Sequence, residues 1–560
     1  MKKKKKPHRH AKAGHRSRQP DIKNDTSIQE ESVKYNDTKI AEKNAVELNG
    51  GMSAEIDTYE DDDSSLRIDF YPFAYSLHDE QLSSRCWYCL AKVDSLRRCH
   101  ACHKGMFCNQ KCQTLGWKDH RSECKAFKTH DAIPNIEVRL LGRIVTRYKY
   151  SILSNITDSM VQAIKLGKDK EDDNFYKDRT SERSIMDIWS HTDFIKQDSA
   201  AMKKFSGIYT DLLAFYGSKA MVSKDEVFEL HCRNYINRHA ISDCGYIEEI
   251  GKGLYLDLCA YDHSCRPNTI YTCNGFVATL RGLTVSVDLR NLSSTHYSYI
   301  DLINTTQQRR KLLKDTWYFE CHCKRCDDPD DALLSSILCP NCPEKRERLC
   351  IFGDVSYKDR DTQIITCPKC HNKVSPQYVV EAITAMRFID KIVENHEIEQ
   401  MSREQRIRFL IDLKKRFSEL LSKLNVFLCK IIQLLIPLID VSDCQQLLDL
   451  HLETEECVRF CFPYNHPAVG IHYRNIATFY LKCKQPHRAL LYCKKAYEIV
   501  RFTLGPKHLM TIETDAILKD ASREVQEAKK LIFGVNPNVK ENSDEAKQCS
   551  VNGVTIKNIV

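Results

Sequence analysis

The stretch CWYCLAKVDSLRRCHACHKGMFCNQKCQTLGWKDHRSEC (86–124) decides how this chain is organised. It contains eight cysteine and histidine residues in four pairs, which is enough for two tetrahedral zinc ions. Two pairs have the Cys-x2-Cys spacing of a tight metal-binding knuckle. The other two have a spacing of four residues, which places both ligands on one face of a helix. The predicted ligands are Cys86, Cys89, Cys99, Cys102, Cys108, Cys112, His120 and Cys124. Because protein fills every position, the ions would be structural.

Two further cysteine groups lie downstream. FECHCKRC (319–326) supplies three thiols, and DHSCRPN (262–268) supplies the natural candidate for the fourth ligand. This second set is Cys265, Cys321, Cys323 and Cys326. Two CPxC knuckles form a third set with the shape of a zinc ribbon, namely Cys339, Cys342, Cys367 and Cys370. The sequence therefore predicts three zinc sites and a fourth of ribbon type.

Composition excludes several protein classes. The 560 residues are 42% apolar and 29% charged, an ordinary globular balance. No apolar run reaches the roughly 18 residues of a membrane span, and no apolar segment follows the basic N-terminus as in a secretory signal. Twenty-seven cysteines without an export signal indicate metal binding in a reducing compartment. No membrane association is expected.

The positive charge is confined to one end. Residues 1–20 carry nine Lys or Arg and no acid, so the remaining 540 residues have a net charge of −1. Direct nucleic-acid binding by the folded body is therefore not expected. The run from Lys2 to Lys6 is typical either of a nuclear-import signal or of a solvated tail. We accordingly expect the protein in the cytoplasm and the nucleus.

The motifs resemble a known family. The first stretch, which closes with QKCQTLGWKDHRSECK (110–125), resembles a MYND finger. A RING finger is the nearest competitor, but the final His-x3-Cys favours MYND. DHSCRPN, HYSYIDL (296–302) and WYFECHCKRC (317–326), in that order, resemble the SET lysine methyltransferase core with its post-SET segment. A SET core interrupted by MYND and followed by helical repeats resembles the SET and MYND domain (SMYD) family.

The resemblance implies a multidomain α+β fold. A β-rich SET core would be split by the MYND zinc finger and a helical insertion, and an all-α TPR-like region would follow. The spacing of large and small residues between Tyr473 and Ala496 indicates one 34-residue helix–turn–helix repeat. The predicted segments are a disordered basic tail (1–45), the N-terminal part of SET (46–85), MYND (86–124), the helical insertion (125–245), core SET (246–305), post-SET (306–330), a zinc-ribbon-like insertion (335–375), the TPR-like domain (376–535) and a flexible tail (536–560).

The resemblance also implies a site. The activity would be methyl transfer from S-adenosyl-L-methionine (AdoMet) to histone or non-histone protein lysines, with Tyr299 as the catalytic residue. The implied cofactor-binding residues are Gly51, His191, Asn237, Asp262, His263, Tyr299 and Phe319. The implied substrate-channel residues are His239, Trp317 and Phe319. Resemblance to MYND implies interleaved ligation, with Cys86, Cys89, Cys108 and Cys112 on one ion and Cys99, Cys102, His120 and Cys124 on the other.

Several positions depart from the family pattern. The opening loop has Asn49-Gly50-Gly51 in place of Gly-x-Gly, Asp262 replaces an asparagine, and LSSTHYSY (292–299) replaces a Gly-Glu-Glu segment. His239 stands where an aromatic channel residue is expected. These departures favour an alternative, a catalytically weak or inactive scaffold that acts as a transcriptional or chromatin adaptor by binding peptides.

Partners follow from the same reasoning. A lysine-containing protein would be the substrate, and a proline-rich peptide would bind the MYND finger of a monomeric chain. A DNA-binding zinc-finger protein is a third interpretation, which is disfavoured because no finger has the groove-reading spacing.

Overall fold

The computed structural model describes residues 66–155, 181–243, 245, 248–342, 349–350, 365–395 and 397–533. The predicted basic tail, Gly51 and the predicted flexible tail from 536 lie outside these ranges. The described residues form small sheets, a cysteine-rich module and many helices, so the predicted α+β class is confirmed. In the described part of the chain no helix combines the length and apolarity needed to cross a bilayer.

The strands are short and the helices dominate. The strands are β1 (Arg67–Phe70), β2 (Ala74–Leu77), β3 (Arg97–Arg98), β4 (Met106–Phe107), β5 (Arg238–Ser242), β6 (Glu249–Leu254), β7 (Asp262–His263), β8 (Thr269–Asn274), β9 (Val277–Gly282), β10 (His296–Tyr297), β11 (Ile337–Leu338) and β12 (Leu349–Cys350). The helices are α1 (Gln110–Leu115), α2 (Trp117–Phe127), α3 (Ile136–Asn155), α4 (Thr192–Gln197), α5 (Ser199–Tyr216), α6 (Lys224–Asn237), α7 (Thr306–Trp317), α8 (Pro376–Asn395), α9 (Arg403–Phe417), α10 (Val426–Leu435), α11 (Cys444–Cys461), α12 (Pro467–Lys482), α13 (Pro486–Leu504) and α14 (Leu509–Phe533).

Two antiparallel three-stranded sheets form the β-rich core. Their strand orders are β1-β9-β8 and β2-β6-β5, so the first two strands of the described chain pair with strands far downstream. Gly251 in β6 lies against β2, where a Cβ atom would come within 2.4 Å of the Ser76 carbonyl oxygen. A glycine is therefore required for this close approach. Because β5 pairs with β6, the predicted helical insertion (125–245) ends in a strand of the core sheet.

The cysteine-rich module packs directly on this core. The β3–β4 hairpin precedes two short helices, and the Asn109 side chain begins α1 by accepting the Cys112 N–H at 2.9 Å. Phe127 at the end of α2 contacts Phe215 of α5, with ring centroids 5.0 Å apart. Predicted zinc ligands and sheet residues thus share one hydrophobic core.

The helical insertion and the C-terminal region each have their own core. In the insertion, α3 packs on α5, α6 and β2. In the C-terminal region, each of the helices α11 to α14 packs against the next, and α12 and α13 both begin with a proline at the first helical position. The repeat residues Tyr473, Ile476, Ala477, Tyr480, Ala489 and Ala496 are all buried. The predicted all-helical C-terminal region is confirmed.

A buried arginine joins the C-terminal helices to the core. Arg325, between two cysteines of the second set, donates to the Cys461 carbonyl at the end of α11 (2.7 Å) and to the Leu302 carbonyl (3.1 Å). Its Nε atom donates to Asp331 at 2.8 Å, and both side chains are at most 2% exposed. Arg325 therefore connects the cysteine-rich segment, the core and α11 through one desolvated group.

Candidate active site and metal centres

Four groups of four potential metal ligands lie within the described residues. In each group the ligand atoms all lie within 4.8 Å of one another. The groups are Cys86/Cys89/Cys108/Cys112, Cys99/Cys102/His120/Cys124, Cys265/Cys321/Cys323/Cys326 and Cys339/Cys342/Cys367/Cys370. The chain thus brings together the four predicted sets, including distant Cys265 and the interleaved pairs that the resemblance to MYND implies. Thiolate and imidazole donors in fours are the set that structural zinc prefers, so these residues fit the ion.

The histidine of the MYND module lies beside a buried ion pair. His120 Nε2 lies 3.4 Å from Cys102 Sγ, and its other nitrogen lies 3.6 Å from a Glu123 carboxylate oxygen. Glu123 is fully buried and accepts from Arg143 of α3 at 2.6 Å. Burial would raise the pKa of Glu123, but the charges and polar contacts of Arg143 and His120 together outweigh it and lower that pKa to about 2. The buried carboxylate therefore lies next to the imidazole as a negative charge, without a hydrogen bond to it in this structure.

The second cysteine set is linked to Tyr299 through His263. The Tyr299 N–H donates to His263 Nδ1 at 3.0 Å, and His263 Nε2 lies 3.2 Å from Cys265 Sγ. Burial lowers the pKa of His263 to about 4, so the ring is neutral near pH 7. Because Nδ1 accepts, the proton is on Nε2 and points to the cysteine sulfur. The His263 ring therefore joins Cys265, a predicted metal ligand, to the Tyr299 backbone.

Tyr299 is half-buried in an aromatic wall. Its hydroxyl donates to the Tyr261 carbonyl at 2.7 Å, and its ring centroid lies 5.1 Å from that of Tyr297 and 5.5 Å from that of Trp317. Burial raises the pKa of Tyr299, so the side chain is a neutral phenol and a hydrogen-bond donor. We call Tyr299, Tyr297, His263, Trp317 and Phe319 the Tyr299 wall. Phe319 joins it through His263, at 6.2 Å between centroids.

His239 lies behind the wall in a box of tyrosines. Its Nε2 is 2.6 Å from the Tyr297 hydroxyl, and its ring contacts Tyr255 and Tyr271 edge-on. Burial lowers the pKa of His239 to about 4, so it is uncharged at neutral pH. It touches the wall through Tyr297, so the structure groups this predicted channel residue with Tyr299.

His191 and Asn237 meet at a second aromatic cluster. His191 adopts a left-handed conformation before α4, and its ring stacks near Trp189 (6.1 Å) and contacts Tyr318 (6.1 Å). The Asn237 amide donates to the Trp189 carbonyl at 2.7 Å and to a carbonyl of its own helix. Tyr318 is the residue after Trp317, and the Trp317 indole donates to the α6 residue before Asn237 at 2.8 Å. The two clusters are thus contiguous.

Asp262 lies at the edge of this arrangement. It is exposed on β7, in register with His296 of the parallel neighbour β10, and its charge contributes to the raised pKa of Tyr299. Gly51 lies outside the described residues. The remaining predicted site residues therefore form one continuous surface, from His191 through Trp317 to Tyr299 and Asp262.

Some residues of this surface were not singled out from the sequence. Tyr297 lies two residues before Tyr299, and Tyr261 immediately precedes DHSCRPN. Their positions next to predicted motifs could therefore have identified both from the sequence. Tyr318 and Trp189 sit beside predicted residues but have no pattern of their own. Arg325 lies between two predicted ligands and looks like an ordinary solvated cation until its burial is known.

Comparisons with known proteins agree with this geometry. The MYND finger family model matches residues 86–124. Histone-lysine N-methyltransferase SMYD3 of Homo sapiens is 23% identical over 465 residues, which cover 81% of this chain and 92% of that protein. N-lysine methyltransferase SMYD2 of Homo sapiens is 27% identical over 260 residues, 46% of this chain and 54% of that protein. SET domain-containing protein 14 of Caenorhabditis elegans is 28% identical over 272 residues, 48% of this chain and 57% of that protein.

Proposed function

The chain belongs to the SET and MYND domain (SMYD) family, and from that premise we propose that it is an AdoMet-dependent protein-lysine N-methyltransferase. The observation that carries the proposal is the linkage from Tyr299 through His263 to the Cys265 tetrad. A catalytic hydroxyl needs fixed surroundings, and here its backbone is hydrogen-bonded to a ring that also contacts a predicted zinc ligand.

The residues present fit the cofactor. When bound, AdoMet supplies a methyl group already activated by its sulfonium. The exposed carboxylate of Asp262 suits the ammonium group of the cofactor, and the rings of His191 and Tyr318 suit its adenine. Both amide hydrogens of Asn237 are used by backbone carbonyls. Its carbonyl oxygen is therefore left to accept from a ribose hydroxyl.

The lysine requires an uncharged aromatic passage. Tyr299 and Trp317 provide ring faces that accept both the alkyl stem and a methylated ammonium, and neutral His239 supports them from behind through Tyr297. Tyr299 does not serve as the base, because burial raises its pKa and keeps the hydroxyl protonated. Its hydroxyl hydrogen is donated to the Tyr261 carbonyl, so its oxygen orients the amine by accepting an N–H, and the lysine proton leaves to water.

The test is labelled-methyl transfer to a protein-lysine array. We expect transfer by the zinc-loaded protein, and a loss of about 100-fold in Tyr299→Phe, because the ring remains but the oriented hydroxyl is gone. A matched control is Tyr464→Phe, which removes the hydroxyl of a tyrosine that is 66% exposed in the C-terminal region. Equal rates for Tyr299→Phe and wild type would refute the assigned role.

The scaffold alternative is supported by one specific observation. Asp262 has a carboxylate where the family pattern has an amide, so the amide donors at that position are missing. In that case the folded protein would bind peptides but transfer no methyl group, and calorimetry with AdoMet would show no heat of binding.

The remaining assignments are proposals of the same kind. The substrate is a histone or non-histone protein lysine, and the MYND finger binds a proline-rich peptide. The chain acts as a monomer, and the basic tail supports a location shared between cytoplasm and nucleus. Fractionation of tail-deleted and full-length protein tests the location, since loss of the tail should reduce the nuclear fraction.

A further inference from the structure

A cavity of about 560 Å³ lies between the MYND finger and the helical insertion. It is bounded by α2 of the finger, by α3 and by the end of α5, and none of its lining residues belongs to the Tyr299 wall. Four lysine or arginine side chains and His130 line it, and no carboxylate does. The four cations are Lys118, Arg121, Lys125 and Lys149.

The charge of α2 is divided between two faces. Asp119 and Glu123 point to α3, where they accept from Arg147 (2.8 Å) and Arg143 (2.6 Å). Lys118, Arg121 and Lys125 are spaced three and four residues apart and therefore share the opposite face, towards the cavity. The acids of this helix are thus already neutralised on its inner side. They cannot offset the positive charge that lines the cavity.

Two of the cations have no partner of opposite charge. Arg121 and Lys125 form no ion pair within the part of the chain that the structure describes. Lys149 on the opposite wall donates to the Lys219 carbonyl at 3.1 Å, which holds its ammonium at the rim. Cations on facing walls of a concave site attract an anion more strongly than cations on a flat surface.

The floor of the cavity is aromatic. Phe215 lies beneath it and packs against Phe127 (5.0 Å between centroids) and the His130 ring (5.6 Å). Tyr216, the next residue, also lines the cavity. A ligand that fits therefore carries negative charge next to an apolar group. A peptide with acidic side chains around one apolar residue has that chemistry.

We propose that this cavity binds an acidic peptide segment of a partner protein. Carboxylates or phosphoserine phosphates would lie between α2 and Lys149, and one apolar side chain would rest on Phe215. Nucleic acid is the less favoured occupant, because the chain beyond residue 20 has a net charge of −1 and the cations line a pocket rather than a long stripe.

Fluorescence anisotropy with the full-length, zinc-loaded protein tests this proposal. The probe is a labelled ten-residue peptide of glutamates around a central phenylalanine, and a second probe carries phosphoserines in place of the glutamates. We expect saturable binding that weakens steeply from about 0.05 to 0.5 M salt. The double variant Arg121→Glu/Lys125→Glu should weaken it at least about tenfold, or 1.4 kcal/mol.

Two further variants separate the cavity from general surface charge. Arg97→Glu/Arg98→Glu makes the same charge change on exposed β3 of the same finger and should leave binding within about twofold of wild type. Ala214→Trp fills the cavity without changing charge and should abolish binding. Zinc content, measured for every variant, should equal that of wild type.

The proposal is overturned by any of three results. These are no saturable binding of either peptide up to about 1 mM at low salt, equal losses in the two charge-reversal variants, or full binding by Ala214→Trp. A single-stranded oligonucleotide that binds more tightly and depends on the same variants would assign the cavity to nucleic acid instead. A preference for the phosphoserine or the glutamate probe identifies the natural source of the charge.

Discussion

The Cys265 tetrad and the ribbon tetrad each consist of four cysteines, yet they lie in different surroundings. Cys265 contacts His263, which holds the Tyr299 backbone, and Cys326 Sγ lies 3.5 Å from Cys265 Sγ. The ribbon cysteines pack instead in the core of the C-terminal helices, and Tyr378 of α8 donates to the Leu338 carbonyl beside Cys339 at 3.1 Å. Two sites with identical donor sets can therefore contribute differently to function, depending on which residues their ligands contact.

The largest loss of methyl transfer is expected from Cys323→Ser. Structural zinc tetrads contribute on the order of 10 kcal/mol to folding, so loss of this ion should release the 321–326 segment and His263. Labelled-methyl transfer should fall at least about 1,000-fold, and the zinc content should drop by one ion per chain. If a variant that has lost this ion retained methyl transfer, the Cys265 tetrad would not be needed to support Tyr299.

An intermediate effect is expected from Arg325→Met. This change removes the Arg325 donor to Asp331, which keeps Arg309 and Thr306 as partners, and it leaves two buried carbonyls without their arginine donor. Breaking a buried ion pair costs about 3–5 kcal/mol. Thermal unfolding should shift down by several degrees, with a smaller loss of methyl transfer. Lys324→Met removes the neighbouring exposed cation and should unfold like wild type. If both variants melted together, Arg325 would not connect α11 to the core.

The smallest effect on transfer is expected from Cys339→Ser. The zinc content should again drop by one ion, but methyl transfer should stay within about twofold of wild type, because the ribbon tetrad contacts the C-terminal helices. Titration with a chelator, followed by metal content and transfer in the same sample, sharpens this contrast. A loss as large as that of Cys323→Ser would mean that both ions support the Tyr299 wall.

The sequence was sufficient where the signal is local or chemically rare. The spacing of cysteines and one histidine, together with the resemblance to MYND, predicted four ligand sets that the chain brings together, and Cys265 joins its partners although it is 56 residues from Cys321. The spacing of large and small residues between Tyr473 and Ala496 predicted a helix–turn–helix repeat, and α12 and α13 occupy Pro467–Lys482 and Pro486–Leu504. Such features are fixed by short stretches of chain or by a donor set that has one stable arrangement.

Other features depend on the three-dimensional packing. Nothing local marks Arg325 as buried, because its burial arises only when α11 and the core meet around it. The basic cavity is formed by helices that are distant in sequence. Which face of α2 lines it can be seen only in the structure, where Arg143 and Arg147 bind the two acidic residues on the other face. Strand β5 follows a helix without a break and is defined by its pairing with β6.

Calorimetry with AdoMet on wild type, Cys323→Ser and Cys339→Ser tests the central claim most directly. Wild type and Cys339→Ser should bind the cofactor alike, with Kd in the micromolar range or about 1 mM at most, and Cys323→Ser should show no heat of binding. The account would be contradicted if folded, zinc-loaded wild-type protein showed no heat of AdoMet binding at that concentration. Undiminished binding by Cys323→Ser would also contradict it.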